Sequence, residues 1–427
     1  MSKLDELIAE LCPNGVEYKS LGEIATIARG GNFQKKDFCD RGVPCIHYGQ
    51  IYTKYGLFTD KTITFITEER AKKQKFAKTN DIIMAVTSEN IEDVCKCLAW
   101  LGNEDVAVSG HSAIISHNQN PKYLVYYFHS QMFFTQKRKL AHGTKVIEVT
   151  PDTLKSIKLP VPPLEVQREI VHILDSFTLL TAELTAELTA RKKQYEFYRD
   201  NLIKKEQHIS EVKKLADVAN IYDSLHQTPS YSNSGYSMVR VQDIKGGYLD
   251  EDKTLKVDES VWNLFTQKYT PRLNDIVVSR VGSYGNFALI PNDKCCLGQN
   301  VALIHPNINP KYLYHVLMST MTKQWINNNV KGASQKSFSL ADIKRVPVPV
   351  PKENIQQRIA EVLDNFEAIC TDLNIGLPAE IEARQKQYEY YRDLLLTFAE
   401  TGSTLMTDRQ TDRQTDRQTD RQTDRQS

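Results

Sequence analysis

The chain has almost no net charge: 54 Lys and Arg stand against 53 Asp and Glu, a formal +1 over 427 residues. That balance excludes a histone-like polycation that would coat any polyanion. No apolar run approaches the roughly 18 residues a bilayer span needs, and no basic-then-apolar leader opens the chain, so neither a membrane protein nor a secreted one is expected. Eight cysteines are present, but Cys95-x-Cys97 and Cys295-Cys296 lack the paired CxxC spacing and histidine partners of a zinc site. Reduced thiols in a cytoplasmic protein, with no metal, are the expectation. Catalytic motifs are missing as well. There is no P-loop, no glycine-rich strand-to-helix turn for a methyl donor, and no acidic cluster with lysine at nuclease spacing. Asn120-Pro-Lys and Asn309-Pro-Lys stop short of the Asn-Pro-Pro-aromatic loop that holds a flipped adenine. No catalytic residue is assigned.

What the chain does have is an internal repeat. Leu159-Pro-Val-Pro-Pro163, Glu165-Val-Gln-Arg-Glu-Ile170 and Leu174-Asp-Ser-Phe177 return as Val348-Pro-Val-Pro351, Asn354-Ile-Gln-Gln-Arg-Ile359 and Leu363-Asp-Asn-Phe366, at an offset of 189. Arg191-Lys-Lys-Gln-Tyr-Glu-Phe-Tyr-Arg-Asp200 returns as Arg384-Gln-Lys-Gln-Tyr-Glu-Tyr-Tyr-Arg-Asp393, at 193. Upstream, Lys19-Ser-Leu-Gly-Glu-Ile-Ala25 echoes Lys213-Lys-Leu-Ala-Asp-Val-Ala219, and Asn80-Asp-Ile-Ile83 echoes Asn274-Asp-Ile-Val277. The period is too long for a solenoid. It points to two copies of one globular unit plus one long helix, related by a pseudo-twofold.

Leu4, Leu7, Ile8 and Leu11 predict a short N-terminal helix. Residues 16–158 mix short runs of strand type (Ile46 to Ile51, Thr62 to Ile66, Asp81 to Val86, Ser112 to Ser116) with turn clusters, the pattern of an α+β domain. One helix is predicted over Lys122 to Leu140, with a twin over Lys311 to Asn327. Proline fixes an extended backbone at 160–163, so a helix must start after it. From Val166 a heptad-like stripe runs through Ile170, Ile173, Phe177, Leu180, Leu184, Leu188, Tyr195, Tyr198 and Leu202, about 40 residues or roughly 60 Å. The second copy runs through Ile355, Ile359, Val362, Phe366, Ile369, Leu373, Ile381, Tyr388, Tyr391, Leu395 and Phe398, with a break predicted at Gly376-Leu-Pro378. Two such stripes in one chain are expected to pair antiparallel.

Repeated helices introduced by a proline strand and a Gln-x-x-Ile-x-x-x-Leu-Asp phrase resemble the specificity subunit of type I restriction-modification systems, up to about Ala399. The phrase stands twice, at Gln167, Ile170, Leu174 and Asp175 and at Gln356, Ile359, Leu363 and Asp364. The resemblance implies an α+β fold with two globular target recognition domains joined by two long antiparallel coiled-coil helices. It divides the chain into an N-terminal helix (1–15), a first recognition domain (16–158), a helical spacer (159–208), a second recognition domain (209–345), a second spacer (346–400) and a tail (401–427). It also implies a non-catalytic subunit that reads double-stranded DNA, with each domain taking one half of an asymmetric bipartite site. The partners implied are two methyltransferase subunits and restriction/translocase subunits, and S-adenosylmethionine, ATP and Mg belong to those partners rather than to this chain. Docking and spacing fall to Gln167, Ile170, Leu174, Phe177, Leu184, Leu188, Tyr195, Tyr198, Gln356, Ile359, Leu363, Phe366, Tyr388 and Tyr391. Two other readings stay open on the residues alone: a coiled-coil tether without DNA specificity, and an enzyme carrying its own methyltransferase or nuclease site.

Charge is distributed unevenly in a way that fits DNA. Residues 16–158 hold 20 Lys and Arg against 15 acids, and 266–345 hold 10 against 3. Base reading uses Arg, Lys, Asn, Gln and hydroxyls, and phosphate contacts use cations and backbone amides. In the first domain the candidates are Lys35, Lys36, Tyr48, Gln50, Ser88, Glu89, Asn90 and His111, together with the cationic run Lys137, Arg138, Lys139 and Lys145, which suits phosphate. A satisfied structural role competes for His47 and His111. In the second domain they are Arg240 and Gln242 on a strand over 238–243, the glycine-flanked loop with Arg280, Ser283, Tyr284 and Asn286, and the amide-rich stretch with Lys331, Ser334, Gln335 and Lys336. The loop at 279–286 also reads as a plain hairpin turn.

Thr181-Ala-Glu-Leu-Thr-Ala-Glu-Leu188 is a tandem repeat, either ordinary helix filler or a spacer module. One more unit lengthens the helix by roughly 6 Å and rotates the downstream part of the chain by one turn plus about 40°, near the ~34–36° of a base pair. Residues 407–426 are Thr-Asp-Arg-Gln five times, a composition that predicts disorder. The tetranucleotide ACAG read through successive frames encodes that peptide, so a slipping four-base repeat in the gene is expected.

Overall fold

In the computed structural model, residues 2–244, 247, 249, 251–330, 337–372 and 376–401 are described. The predicted tail disorder falls outside them. The chain forms two compact units, Leu184–Ile381 and a discontinuous one made of Met1–Glu183 with Glu382–Ser427. The first unit therefore takes its last helix from the far end of the sequence.

Its main sheet has five strands in the order Ala25–Arg29, Ser112–His117, Ile82–Ala85, Cys97–Trp100, Phe58–Thr59, antiparallel except at the last pair. A second five-stranded sheet pairs Val43–Ile46 with Val106–Val108 in parallel. The second unit repeats both in shorter form. Ala219–Asp223, Val301–Pro306, Ile276–Ser279 and Phe287–Leu289 make a four-stranded sheet, and Tyr236–Val239 pairs in parallel with Cys295–Leu297. Asn80 and Asn274 hold the same left-handed turn, φ 74° and 66°. The next residue's carboxylate closes each turn, Asp81 on the Lys78 amide and Asp275 on the Arg272 amide, and asparagine is among the few residues that tolerate that backbone.

Two expected elements differ. The run Ile46 to Ile51 is not one strand, because strand Val43–Ile46 ends at His47 and Tyr48–Thr53 is helical. Gln50 decides this by folding back to accept from the His47 amide at 3.0 Å, a helix cap inside an apolar run. The helix expected over 122–140 is two, Pro121–Phe128 and Gln131–Leu140, and its twin is Pro310–Met318 and Thr320–Asn329. Ser130 and Ser319 cause the breaks by capping the second helix of each pair.

The long helix is continuous over Leu164–Ile209, and the second copy is broken as expected, into Glu353–Thr371 and Leu377–Thr401. In the first unit, Val166, Ile170, Leu174, Tyr388 and Leu395 share one core with Tyr123, Tyr126 and Tyr127, and the Phe177 ring stacks on Tyr391 at 5.3 Å. In the second unit, Tyr195, Ile203, Ile359 and Leu363 do the same around Tyr312 and Tyr314, and Tyr198 lies 5.5 Å from Phe366.

The repeated phrase has one physical job in both copies. Gln167 donates to the Pro162 carbonyl at 2.7 Å and accepts from the Asn120 amide at 3.0 Å. Gln356 donates to the Pro351 carbonyl at 2.8 Å and accepts from the Asn309 amide at 3.1 Å. Asp175 and Asp364 then pair with Lys122 and Lys311, and Tyr123 and Tyr312 each donate to a carbonyl of the proline strand, Pro160 or Pro349, at 3.0 Å. Buried polar groups left unpaired cost about 1–3 kcal/mol each. Gln167→Ala is therefore expected to destabilise the first unit, and Gln356→Ala the second, by about 2 kcal/mol. Hydrogen exchange read by mass spectrometry checks this, with faster exchange confined to the matching unit in each variant.

Candidate nucleic-acid interface

A cleft of about 680 Å³ opens in the first unit. Its floor needs glycine: a Cβ on Gly30 would stand 2.2 Å from the Ser109 carbonyl oxygen, and one on Gly110 would stand 2.6 Å from that of Gly31. One wall is aromatic. The His47 and Tyr48 rings lie 4.5 Å apart, and Tyr48 and His111 lie 4.9 Å apart. Arg29, Lys73 and Lys75 line the cleft together with Asn32 and Gln34, and among the described residues no carboxylate does. His47 is 6% exposed, and its Nδ1 accepts from the Gly49 amide at 3.2 Å. Burial, then the Lys35 and His111 charges, push its pKa down to about 4. His111 holds Nδ1 3.2 Å from the Thr87 hydroxyl.

Of the first-domain candidates, Tyr48 and His111 line this cleft, and Lys35 and Lys36 stand exposed on the short turn Lys35–Asp37. Ser88 is half-buried on the short strand Thr87–Ser88, Glu89 is exposed, and Asn90 accepts from the Asp93 amide. Arg138 and Lys139 are exposed at the end of helix Gln131–Leu140, and Lys145 is exposed beyond it.

Two candidates are withdrawn. Gln50 is buried, committed to the His47 amide and the Thr64 hydroxyl. Lys137 is buried and donates to the Glu92 and Val94 carbonyls at 2.9 and 2.6 Å, so it braces a loop and has no free charge for phosphate. Spacing along the sequence hides both, since a polar side chain is ordinarily exposed wherever it stands. Arg29, Gln34, Lys73 and Lys75 line the cleft beside Tyr48 and His111 without standing among the residues expected from the sequence. The cluster Lys72-Lys73-Gln74-Lys75 was the available signal.

The second unit is more self-contained. Arg240 is not on a strand; it precedes the short turn Val241–Asp243 and folds onto Asp243 at 2.9 and 3.0 Å, beside Gln242. Arg280 pairs with Asp223 and donates to the Phe338 carbonyl, which removes it as a free contact. Ser283, Tyr284 and Asn286 form the turn joining strands Ile276–Ser279 and Phe287–Leu289. Asn286 Nδ2 donates to the Ser283 carbonyl at 2.9 Å, and Gly282 and Gly285 take φ 74° and 73°. Ser283 and Asn286 remain exposed and Tyr284 packs on the core. Lys331, Ser334, Gln335 and Lys336 lie outside the described residues.

The docking set also divides. Gln167, Ile170, Leu174, Tyr195, Gln356, Ile359, Leu363 and Tyr388 are buried in their own units and hold helix to domain, so they present nothing to a partner. Phe177, Leu184, Leu188, Phe366 and Tyr391 are half-buried. The apolar groups left outward on the helices include Leu179 at 61%, Phe197 at 63%, Tyr198 and Tyr390, together with Ile355, Val362 and Ile369 at seven-residue intervals along helix Glu353–Thr371.

The family model described as the type I restriction modification DNA specificity domain matches residues 13–191 and 209–383. The chain belongs to this family. Within it, the Escherichia coli EcoR124I/EcoR124II specificity subunit is 36% identical over 258 residues, 57% of this chain and 63% of that protein. A Haemophilus influenzae type I restriction enzyme specificity subunit is 29% identical over 313 residues, 70% of this chain and 77% of its own. A solved structure from work on complex assembly and conformational transition of the type I R-M system aligns at TM-score 0.53 and 16% identity, covering 91% of this chain and 98% of that one. That likeness carries the fold alone. The family match covers both copies of the repeat. No helix among the described residues of this family member is long and apolar enough to cross a membrane.

Histidines in the first unit give it an acid limit. The pKa values of His47 and His129 are both pushed down to about 4, chiefly by burial. The unfolded chain takes up protons near pH 6.5 that the folded unit refuses until about 4, so stability is full above 6.5 and falls as pH drops through that window. Urea unfolding at pH 7.5, 5.5 and 4.5 is expected to show a falling midpoint, with a shallower fall in the His129→Gln variant.

Proposed function

We propose that this chain is the DNA sequence-recognition subunit of a type I restriction-modification complex, and that each unit reads one half of an asymmetric bipartite site. The observation that carries this is a scaffold repeated to the level of single hydrogen bonds beneath dissimilar surfaces. The glutamine, aspartate and tyrosine contacts recur at offset 189, whereas His47 and its cleft stand where the second unit has a self-paired Arg240. Identical domains would read a symmetric target; these would not. The long helices set the separation of the half-sites, and their outward stripe of Ile355, Val362 and Ile369 offers an apolar face to methyltransferase subunits. Methyl transfer from S-adenosylmethionine to adenine, and cleavage driven by ATP with Mg, belong to the methyltransferase and restriction/translocase partners. This chain recognises and the partners catalyse.

Single-molecule methylation mapping tests the proposal. Cells expressing this chain with its neighbouring modification gene are expected to gain one bipartite asymmetric adenine motif that is absent with the modification gene alone. No new motif, with the partner active beside another specificity chain, would return the coiled-coil tether to first place. A variant with a third Thr-Ala-Glu-Leu unit after Leu188 is expected to keep both half-sites and lengthen the gap between them by one base pair. An unchanged gap would reduce that repeat to helix filler.

A further inference from the structure

We propose that the cleft of the first unit seats a phosphodiester of the DNA backbone, taking hydrogen bonds from His47 Nε2–H and the ammonium groups of Lys73 and Lys75, and so supplies affinity and register without reading base identity. This role rests on the DNA-recognition reading and refines it.

Shape is the first reason. A duplex presents its sugar-phosphate backbone as a convex ridge, while base edges lie at the floor of a groove and are met by projecting side chains. A recess with a glycine floor receives a ridge. Chemistry is the second. A phosphodiester only accepts hydrogen bonds, and among the described residues the lining has three cations and no carboxylate. Arg29 is already paired with Glu148 at 2.7 Å. Lys73 and Lys75 are exposed and make no ion pair among the described residues.

The third reason is the buried imidazole. Because Nδ1 accepts from the Gly49 amide, the ring hydrogen sits on Nε2. Among the described residues that nitrogen meets no protein acceptor, and the ring faces the cleft. That nitrogen still reaches solvent at the cleft, so a ligand acceptor can engage it there. A charge-assisted bond to a phosphate oxygen does so. The second unit has solved the same position internally. Ser224 replaces Gly30, keeping its backbone bond across the strand, and Arg240 is turned onto Asp243. The grip on the backbone is accordingly one-sided.

The test uses the full chain in complex with its methyltransferase subunits. Affinity for a duplex carrying the mapped motif and for a scrambled duplex is measured from about 50 to 200 mM salt. Each lost phosphate contact removes about 0.9 from the slope of log affinity against log salt. The Lys73→Gln/Lys75→Gln variant, altered at exposed positions, is expected to lose about 0.9 from the slope on both duplexes, the two lysines sharing one phosphate, with its methylated motif unchanged. Methylphosphonate substitution then locates the contact: one neutralised phosphate at the first half-site weakens the wild-type complex and leaves the variant unaffected. His47→Leu, compared at matched folded fraction, should lose sensitivity to that same phosphate. An unchanged slope overturns the proposal, and so does a motif altered within the first half-site, which would make the cleft a base reader. A wild-type complex with no preference between the two duplexes would instead remove the DNA-recognition reading itself.

Discussion

Everything outward in this molecule depends on a clasp between a proline strand and the helix that comes after it. Proline residues force an extended segment whose carbonyls have no helical partner. Gln167 and Gln356, three residues into their helices, turn back and satisfy one of those carbonyls while accepting an amide from the globular domain. A single side chain thus ties strand, helix and domain together. Both amides are buried, so a misplaced helix would leave a donor and an acceptor unpaired in a dry environment, at about 1–3 kcal/mol each. Direction of exit is fixed by chemistry rather than by shape alone.

Around that clasp the two copies have diverged where the cost is small. Tyr126 donates to Asp175 in the first unit. The equivalent His315 bridges Tyr195 and Asp364 in the second, wholly buried, with Glu367 held by Tyr314 beside it. Tyr388, which faces Tyr126 as Tyr195 faces His315, has a hydroxyl that meets no hydrogen-bond partner among the described residues. The same helical frame therefore accommodates a buried histidine between a tyrosine and an aspartate in one unit and a direct tyrosine–aspartate bond in the other. Such tolerance lets surfaces evolve apart without loosening the scaffold.

The same division decides which features are legible in the sequence. Gln167, Ile170 and Leu174 repeat because they do internal work, and their repetition announces the two units and the long helices. Repetition also misleads: residues that recur for the sake of the core look like surfaces for partners, while the outward Leu179 and Phe197 carry no signature of their own. The break at Ser130 is hidden because a serine cap looks like any polar residue inside an amphipathic run. Gln50 and Lys137 deceive for a related reason. Polar groups are ordinarily exposed, and only three-dimensional contact shows that one caps a helix and the other fills the carbonyls of a loop.

Charge shows why a count along the chain is a poor guide to an interface. Residues 16–158 carry a surplus of cations, yet Lys137 is committed to carbonyls, Lys122 to Asp175 and Arg29 to Glu148. In the second unit Arg240 and Arg280 are likewise matched to aspartates. The field that an approaching polyanion meets comes from the cations left over, and in the first unit those include Lys35, Lys36, Lys73 and Lys75 on and around one recess. A nearly neutral protein can in this way present a strongly positive local surface. Its sign is set by which carboxylates the fold has turned inward to meet other partners, and that is a property of packing, invisible to composition.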